Sequence, residues 1–334
     1  MRAYVLNEFS KRAHFEQIEI EKPVVLPGYV LIRVAATSIN PIDGKIRSGA
    51  VPIGPSIPAI LHGDVAGVVV DIGEGVTGFS IGDEVYGYAG GVKGRQGALA
   101  DYMVAEATLI AHKPKTLSFQ EASALPVVAI TAWKALIERA NIQQGQKVLI
   151  HGATGGVGHI AIQLAKYKGA IVYATASSEE KVKIGYELGA DHVFSYREKH
   201  VDEYVEEYTD GKGFDVVLDT VGTQTLDDSL QAAKVNGTVM SIATRSTHDL
   251  SMMHAKGLTL HVVFSIIPLL HHEGKEEQQR ILQLLAEVID NTGMKPLLDP
   301  LSFSFGDANK AYEYMENEKK YGKVILYNES FSGA

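Results

Sequence analysis

From Lys147 onward the chain alternates between two hydrophobic periodicities, and this alternation limits its possible folds more than any other feature. Six apolar, β-branched runs follow one another: Lys147–His151, Ala170–Thr175, Asp191–Ser195, Phe214–Asp219, Gly237–Ile242 and Thr259–Phe264. Helical patterns separate most of them. Val157, Ile160, Ala161, Leu164 and Ala165, for example, recur at i, i+3, i+4, i+7 and i+8, the spacing of one helix face. Strands alternating with helices make βαβ units and a parallel sheet. Six such strands fit a complete dinucleotide-binding (Rossmann) fold. Residues 1 to about 120 read differently. Short runs such as Tyr29–Ala35, Asp64–Asp71 and Asp83–Tyr88 are cut by glycine and proline, the pattern of a small barrel or sandwich. After about residue 270 come a helix near Glu276–Asn291, a second over Gly306–Asn317 and a strand, Lys323–Tyr327. That tail is too small to fold alone and is expected to return to the N-terminal part.

Composition narrows the partners. With 334 residues, 46% of them hydrophobic, the chain is long enough for about two domains with sizeable cores. It carries 31 Lys and Arg against 40 Asp and Glu, a formal charge of −9, which argues against nucleic acid or an anionic membrane as a partner. There is no cysteine, so disulfides, Fe–S clusters, thiolate zinc sites and a cysteine nucleophile are excluded. Arg2, Glu8, Lys11, Arg12 and His14 leave no secretory hydrophobic segment, and the apolar stretch Val262–Leu270 is too short to span a bilayer. A cytoplasmic location is expected.

The strongest chemical signal is Ile150-His151-Gly152-Ala153-Thr154-Gly155-Gly156-Val157-Gly158, lying between an apolar strand and an amphipathic helix. Glycines there allow a tight turn and let the backbone approach a pyrophosphate at the helix N-terminus. The spacing is A-x-G-x-x-G, with Ala153 in place of the first glycine. The second strand ends Ala174-Thr175-Ala176-Ser177-Ser178, without the acid that holds a ribose 2′-hydroxyl in NAD sites, and Lys181 follows one turn later. Hydroxyls and a cation suit a 2′-phosphate, so NADPH is the expected cofactor. Glu179 and Glu180 read as first-turn charges complementing the helix dipole.

Several ordered motifs together resemble the zinc-independent quinone oxidoreductase (zeta-crystallin-like) branch of the medium-chain dehydrogenase/reductase superfamily. They are Ser38-Ile39-Asn40-Pro41-Ile42-Asp43, Gly63-Asp64-Val65-Ala66-Gly67-Val68-Val69, Gly82-Asp83-Glu84-Val85, Leu125-Pro126 through Thr131-Ala132-Trp133, the Ala153–Gly158 turn, and Gly322-Lys323-Val324-Ile325-Leu326. The resemblance implies an α/β fold: a GroES-like β-barrel catalytic domain over residues 1–122, completed by 268–334, and a Rossmann NADP-binding domain over 123–267. It also implies an active site in the cleft between them and a twofold dimer through the sheet-edge strand Thr259–Phe264. It carries over Asn40 beside the nicotinamide, and Thr131 near the cofactor at the start of the domain-crossing helix. Gly155, Gly156 and Val157 would hold the pyrophosphate, and Ser178, Lys181 and Tyr196 would surround the 2′-phosphate together with Ser177. Val221, Gly222, Ser241, Ile242, Phe264 and Ser265 would face the nicotinamide half, with Gly322 and Lys323 close by. Aligned with the zinc alcohol dehydrogenases, Asn40 stands at a cysteine position and Gly63 at a histidine position. His62 is one residue out of register, so it reads as a hydrogen-bonded structural histidine, and no metal is expected.

Lys45 stands where many quinone reductases of this branch have tyrosine, a pattern closer to the enone-reducing members. Two readings stay open: a donor polarising a substrate carbonyl, or a lysine at a rim or on a cofactor phosphate. Asn40 and Lys45 are the candidate catalytic residues. Gly78-Phe79-Ser80-Ile81-Gly82 matches the G-x-S-x-G hydrolase motif, but strand residues follow where that motif needs a helix. Arg95, Tyr88 and Tyr321 are candidates for the cleft border. The expected activity is metal-free hydride transfer from NADPH to a quinone or an α,β-unsaturated carbonyl; the alternative is a cofactor-binding sensor or crystallin-like protein with little turnover.

Overall fold

The structure, a computed structural model, describes residues 1–317 and 321–331. In chain order the strands are β1 (Arg2–Val5), β2 (Glu16–Glu19), β3 (Tyr29–Ser38), β4 (Asp64–Ile72), β5 (Glu84–Tyr88), β6 (Tyr102–Glu106) and β7 (Ile110–His112). They continue with β8 (Lys147–Ile150), β9 (Ile171–Ala176), β10 (His192–Ser195), β11 (Phe214–Asp219), β12 (Ala233–Ser241) and β13 (Thr259–Val262), and finish with β14 (Leu298–Ser304) and β15 (Lys323–Tyr327). The helices are α1 (Pro41–Arg47), α2 (Phe119–Ser123), α3 (Pro126–Trp133), α4 (Gly158–Tyr167), α5 (Glu179–Glu187) and α6 (Val201–Thr209). After these come α7 (Gln224–Ala232), α8 (Ser251–Lys256), α9 (Ile267–His271), α10 (Lys275–Thr292) and α11 (Ala308–Asn317).

The chain divides into two compact units, Met1–Ile130 with Ile266–Ala334, and Thr131–Ser265. The division falls inside α3, some eight residues later than the expected domain start at 123. Residues 318–320 and 332–334 of the expected 268–334 segment lie outside the described residues.

The first unit is built on a seven-stranded sheet, order β14-β15-β3-β4-β5-β7, with β6 also paired to β3. Ten-residue β3 organises it. Its buried Val30, Ile32 and Val34 face the core while its edge is shared by β6 and β15. Register shifts between β3 and β4, at Leu31/Ile32 and Val34/Ala36, bend the pair as bulges do. The C-terminal tail returns to this unit: β15 runs antiparallel to β3, with Ile325 opposite Ser38. Helix α10 seals a face of the same unit, where Tyr86 Oη donates to Leu282 O at 2.7 Å and Gln278 Nε2 donates to Tyr88 O at 2.9 Å. Strand β14 was not anticipated because Pro300 interrupts its pattern. As an edge strand with a register break between Leu298 and Ser302, it tolerates the missing donor.

The second unit is a six-stranded sheet, order β10-β9-β8-β11-β12-β13, with every pairing parallel. This is the doubly wound order, which reverses between β8 and β11. One hydrophobic core packs Leu149, Tyr173, Phe194, Phe214 and Val217 of the sheet against Tyr204 of α6 and Leu226 and Leu230 of α7.

Candidate active-site residues

In the second unit the parallel strands all end at one edge, and most of the predicted residues of this unit follow those strand ends. Open α/β sheets bind ligands outside the carboxyl ends of their strands, at the point where the strand order reverses. The glycine turn follows β8 at that point. Gly152 has φ +81°, and an added Cβ at Gly158 would fall 2.0 Å from Gly152 O, so the helix can approach the turn this closely only with glycine at 158. Gly155 is exposed, Gly156 and Val157 half-buried. Next to the turn, Ser177 and Ser178 follow β9, while Tyr196 follows β10 and is 53% exposed. Ser178 caps α5, its oxygen accepting from the Lys181 backbone N–H at 3.4 Å. Its hydroxyl proton is left to donate.

Beyond β11 and β12 one carboxylate does the organising. Asp219, fully buried, accepts from the N–H groups of Val221 (2.9 Å) and Gly222 (2.8 Å) through Oδ1 and from Ser241 Oγ (2.7 Å) through Oδ2. Three of the predicted residues thus hang on an acid that sequence reasoning left without a role, although an acid closing an apolar run before Thr-Val-Gly was visible. Ile242 N–H donates to Asp219 O at 3.2 Å. His151 lies close by; burial lowers its pKa to about 4, with the Asp219 charge opposing. Val221 and Phe264 leave 54% and 44% of their surfaces exposed, apolar area that a planar ring can cover. Thr131 Oγ1 and Ser265 Oγ share a hydrogen bond of 2.7 Å. Thr131 sits at the sixth residue of α3, not at the start of the helix. Arg197 was missed by sequence reasoning: its guanidinium lies 6.0 Å from the Tyr196 ring centre, a second cation beside that strand tip.

In the first unit Asn40 is buried at the N-cap of α1. Its N–H donates to Asp43 at 2.8 Å, its Nδ2 donates to Asp64 at 2.7 Å, and its Oδ1 accepts from Lys323 Nζ. Lys323 also donates to Ile39 O at 3.0 Å and pairs with Asp64 at 3.5 Å, so its three N–H groups are engaged inside this unit. Burial lowers its pKa, with Asp64 and Asp43 working against the shift. Lys323, expected beside the cofactor, directs its donors to Ile39 O, Asn40 and Asp64 of its own unit. Asp64 further accepts from Ser38 Oγ (2.7 Å) and Val127 N–H (2.9 Å). Burial, reinforced by the Asp64 charge, raises Asp43 to about 7, and Asp43 Oδ1 meets no partner among the described residues. Lys45 lies on the exposed side of α1, opposite buried Asp43 and Ile46, and no hydrogen bond joins it to Asn40 among the described residues. Tyr88 is buried, and Arg95 is held by Glu106 (2.7 Å) and Leu269 O (2.8 Å).

The residues at the zinc positions do not fit a metal. A Cβ on Gly63 would fall 2.4 Å from the Tyr88 ring, so a histidine cannot occupy that position while Tyr88 stays. His62 is fully buried with Nε2 3.0 Å from Tyr312 Oη, and burial takes its pKa down to about 3, with Lys323 adding to the shift. Among the described residues no group of three or more His, Asp or Glu could hold a metal ion, and no helix is long and apolar enough to cross a membrane.

Residues 26–115 match the alcohol dehydrogenase GroES-like domain family, and residues 156–286 the zinc-binding dehydrogenase family. Together with the six-stranded parallel sheet, these define a medium-chain dehydrogenase/reductase. Mouse quinone oxidoreductase is 32% identical, covering 98% of this chain and 97% of its own. The NADPH-dependent alkenal/one oxidoreductase of Arabidopsis thaliana chloroplasts is 30% identical over 98% of this chain and 79% of its own. An alcohol dehydrogenase superfamily protein from Novosphingobium aromaticivorans superposes with a TM-score of 0.94 at 37% identity, covering 98% of this chain and all of that one. The chain belongs to the quinone oxidoreductase branch of that superfamily.

Proposed function

We propose that the protein is an NADPH-dependent oxidoreductase of quinones or α,β-unsaturated carbonyls, working without a metal ion. The observation that carries this reading is the tip of β9: Ser177, Ser178 and Lys181 stand there beside Tyr196 and Arg197, with no acid at the strand end. NADPH, when bound, supplies the hydride. Gly155, Gly156 and Val157 offer backbone N–H groups to the pyrophosphate. Ser178 donates its hydroxyl proton, and Lys181 and Arg197 place positive charge, at the 2′-phosphate. Val221, Gly222, Ser241 and Ile242, fixed through Asp219, shape the nicotinamide half with Thr131, Phe264 and Ser265. Asn40 keeps one N–H of its amide for an acceptor oxygen, and the exposed Lys45 ammonium is a second donor. Quinones and enones spread incoming negative charge onto a conjugated oxygen, where such donors suffice. An alcohol substrate needs its alkoxide stabilised, a task for the zinc whose ligands do not fit here.

The names and dependence of the relatives support the same reading. A cytoplasmic homodimer joined through the β13 edge completes it; light scattering showing only a monomer would remove the dimer. The enzymatic reading is tested by NADPH and NADH titration with and without Lys181→Ala, and by turnover on a quinone and an enone after chelator dialysis. NADPH is expected to bind at least about tenfold tighter than NADH, with Lys181→Ala erasing most of that margin, because a charge-assisted contact contributes about 1.5–3 kcal/mol. Lys45→Ala is expected to lower kcat with NADPH affinity kept. Equal affinities would refute the cofactor, zinc-restored activity the metal independence. Turnover with no acceptor would leave the sensor alternative.

A further inference from the structure

A second constellation of reactive groups lies outside the residues assigned above. Ser246 Oγ is 2.6 Å from His248 Nε2, and His248 Nδ1 is 2.8 Å from Asp227 Oδ1. Ser246 and His248 belong to the irregular segment between β12 and α8, whereas Asp227 stands in the first turn of α7. The Ser–His contact is local. The His–Asp contact spans 21 residues and is made by tertiary structure, with α7 anchored by the buried Leu226, Ser229 and Leu230.

The division of roles follows from the bonds. Nδ1–H donating to Asp227 fixes the imidazole tautomer and leaves Nε2 to accept the Ser246 proton, the nucleophile–base–orienter order of a serine triad. Exposure agrees: the His248 side chain is 8% exposed and Asp227 39%, while Ser246 is open to solvent. Among the described residues the backbone N–H groups of Arg245, Ser246, Thr247 and His248 meet no acceptor, so the segment that carries Ser246 keeps donors available to an oxyanion, and Arg245 precedes it in the chain. By contrast, Ser80 of the G-x-S-x-G match turns its N–H onto Asp83 at 2.7 Å in the β4–β5 connection. A triad is recognised by geometry and not by a sequence pattern.

We propose that Ser246, His248 and Asp227 form a second, cofactor-independent active site that hydrolyses small activated carboxylic esters through an acyl-serine. Ser246 Oγ attacks the ester carbonyl carbon while its proton passes to His248 Nε2. The bond to the leaving alcohol breaks, and the alcohol oxygen takes that proton. Water then attacks the acyl-serine, giving one proton to His248, which returns it to Ser246 Oγ as the carboxylic acid departs. Ester and water become acid and alcohol, and nothing is oxidised or reduced. The open position of Ser246 suits short, unhindered acyl groups.

The full-length protein, incubated with p-nitrophenyl acetate, is expected to release p-nitrophenolate and to carry an acetyl group on the Ser246 peptide by mass spectrometry. Ser246→Ala should abolish that acetylation. His248→Gln should slow hydrolysis about a hundredfold or more, the usual scale for a general base. Asp227→Asn, which keeps shape and removes charge, should slow it as well, and NADPH oxidation by the Ser246→Ala protein should match the wild type. Labelling of wild-type Ser246 by a fluorophosphonate needs no variant and guards against misfolding. Acetyl groups confined to lysines, or hydrolysis unchanged in Ser246→Ala, would overturn the proposal and reduce the constellation to a tether between the segment and α7.

Discussion

Replacing Lys323 with methionine tests the buried network of the first unit. The side chain keeps its length and loses its charge, so packing changes little. Lys323 is 3% exposed and Asp64 0%, and the ammonium meets three oxygen acceptors: Ile39 O, Asn40 Oδ1 and Asp64 Oδ2. Removing it leaves the buried Asp64 without its counter-charge, a situation that costs about 3–5 kcal/mol in comparable buried pairs. The cost falls on one place: β15 where it pairs with β3, and the start of α1 at Asn40. Hydrogen exchange read by mass spectrometry resolves this better than a melting curve, since a chain of two compact units does not unfold in one step. Peptides covering Thr37–Arg47 and Lys323–Tyr327 should exchange more than a hundredfold faster at pH 7.5, while peptides of β8 and β11 stay unchanged, because 1.4 kcal/mol corresponds to tenfold. Adding Asp64→Asn removes the stranded charge, so the double variant should lose less than the sum of the singles, by about 1–3 kcal/mol. Exchange within tenfold of wild type, or strict additivity, would refute the claim that the ion pair holds Asn40.

Two further predictions concern the same scaffold. Asp43 is raised from 3.8 to about 7, so the folded state binds its proton more tightly than the unfolded chain. That contribution is fully present below pH 3.8 and lost as pH rises through 7, and Asp43→Asn should gain on the wild type by up to about 4 kcal/mol between pH 4 and 8 in urea titrations. An unchanged pH slope would count against it. His62, lowered to about 3, works the other way, losing stability as pH falls below 6.5. At the glycine turn, Gly158→Ala puts a Cβ 2.0 Å from Gly152 O, whereas at Gly155 the same atom is 3.3 Å away. The first variant should lower both melting temperature and NADPH affinity well below the second; equal behaviour would show that the close approach is unimportant.

The architecture was legible because it depends on periodicity. A period of two or of 3.6 survives in one dimension, so the six strands of the parallel sheet and the helices between them could be placed within a few residues. The glycine turn was legible for a related reason: its backbone conformation and the close approach at Gly158 admit little else. What pairs with what was not. Lys323 matched a motif that placed it near the cofactor, and its ammonium bonds groups 259 to 284 positions away, Asp64, Asn40 and Ile39. Asp219 looked like the end of a strand and turned out to fix Val221, Gly222 and Ser241. Asp227 and His248 carried no pattern at all until α7 and the segment after β12 brought them to 2.8 Å. The sequence by itself determined the local backbone, because propensity, turn chemistry and hydrophobic period act between near neighbours. Only the tertiary structure decided the partner of each buried charge, because a carboxylate or ammonium is satisfied by whatever donor or acceptor the fold delivers within about 3 Å, at any separation along the chain.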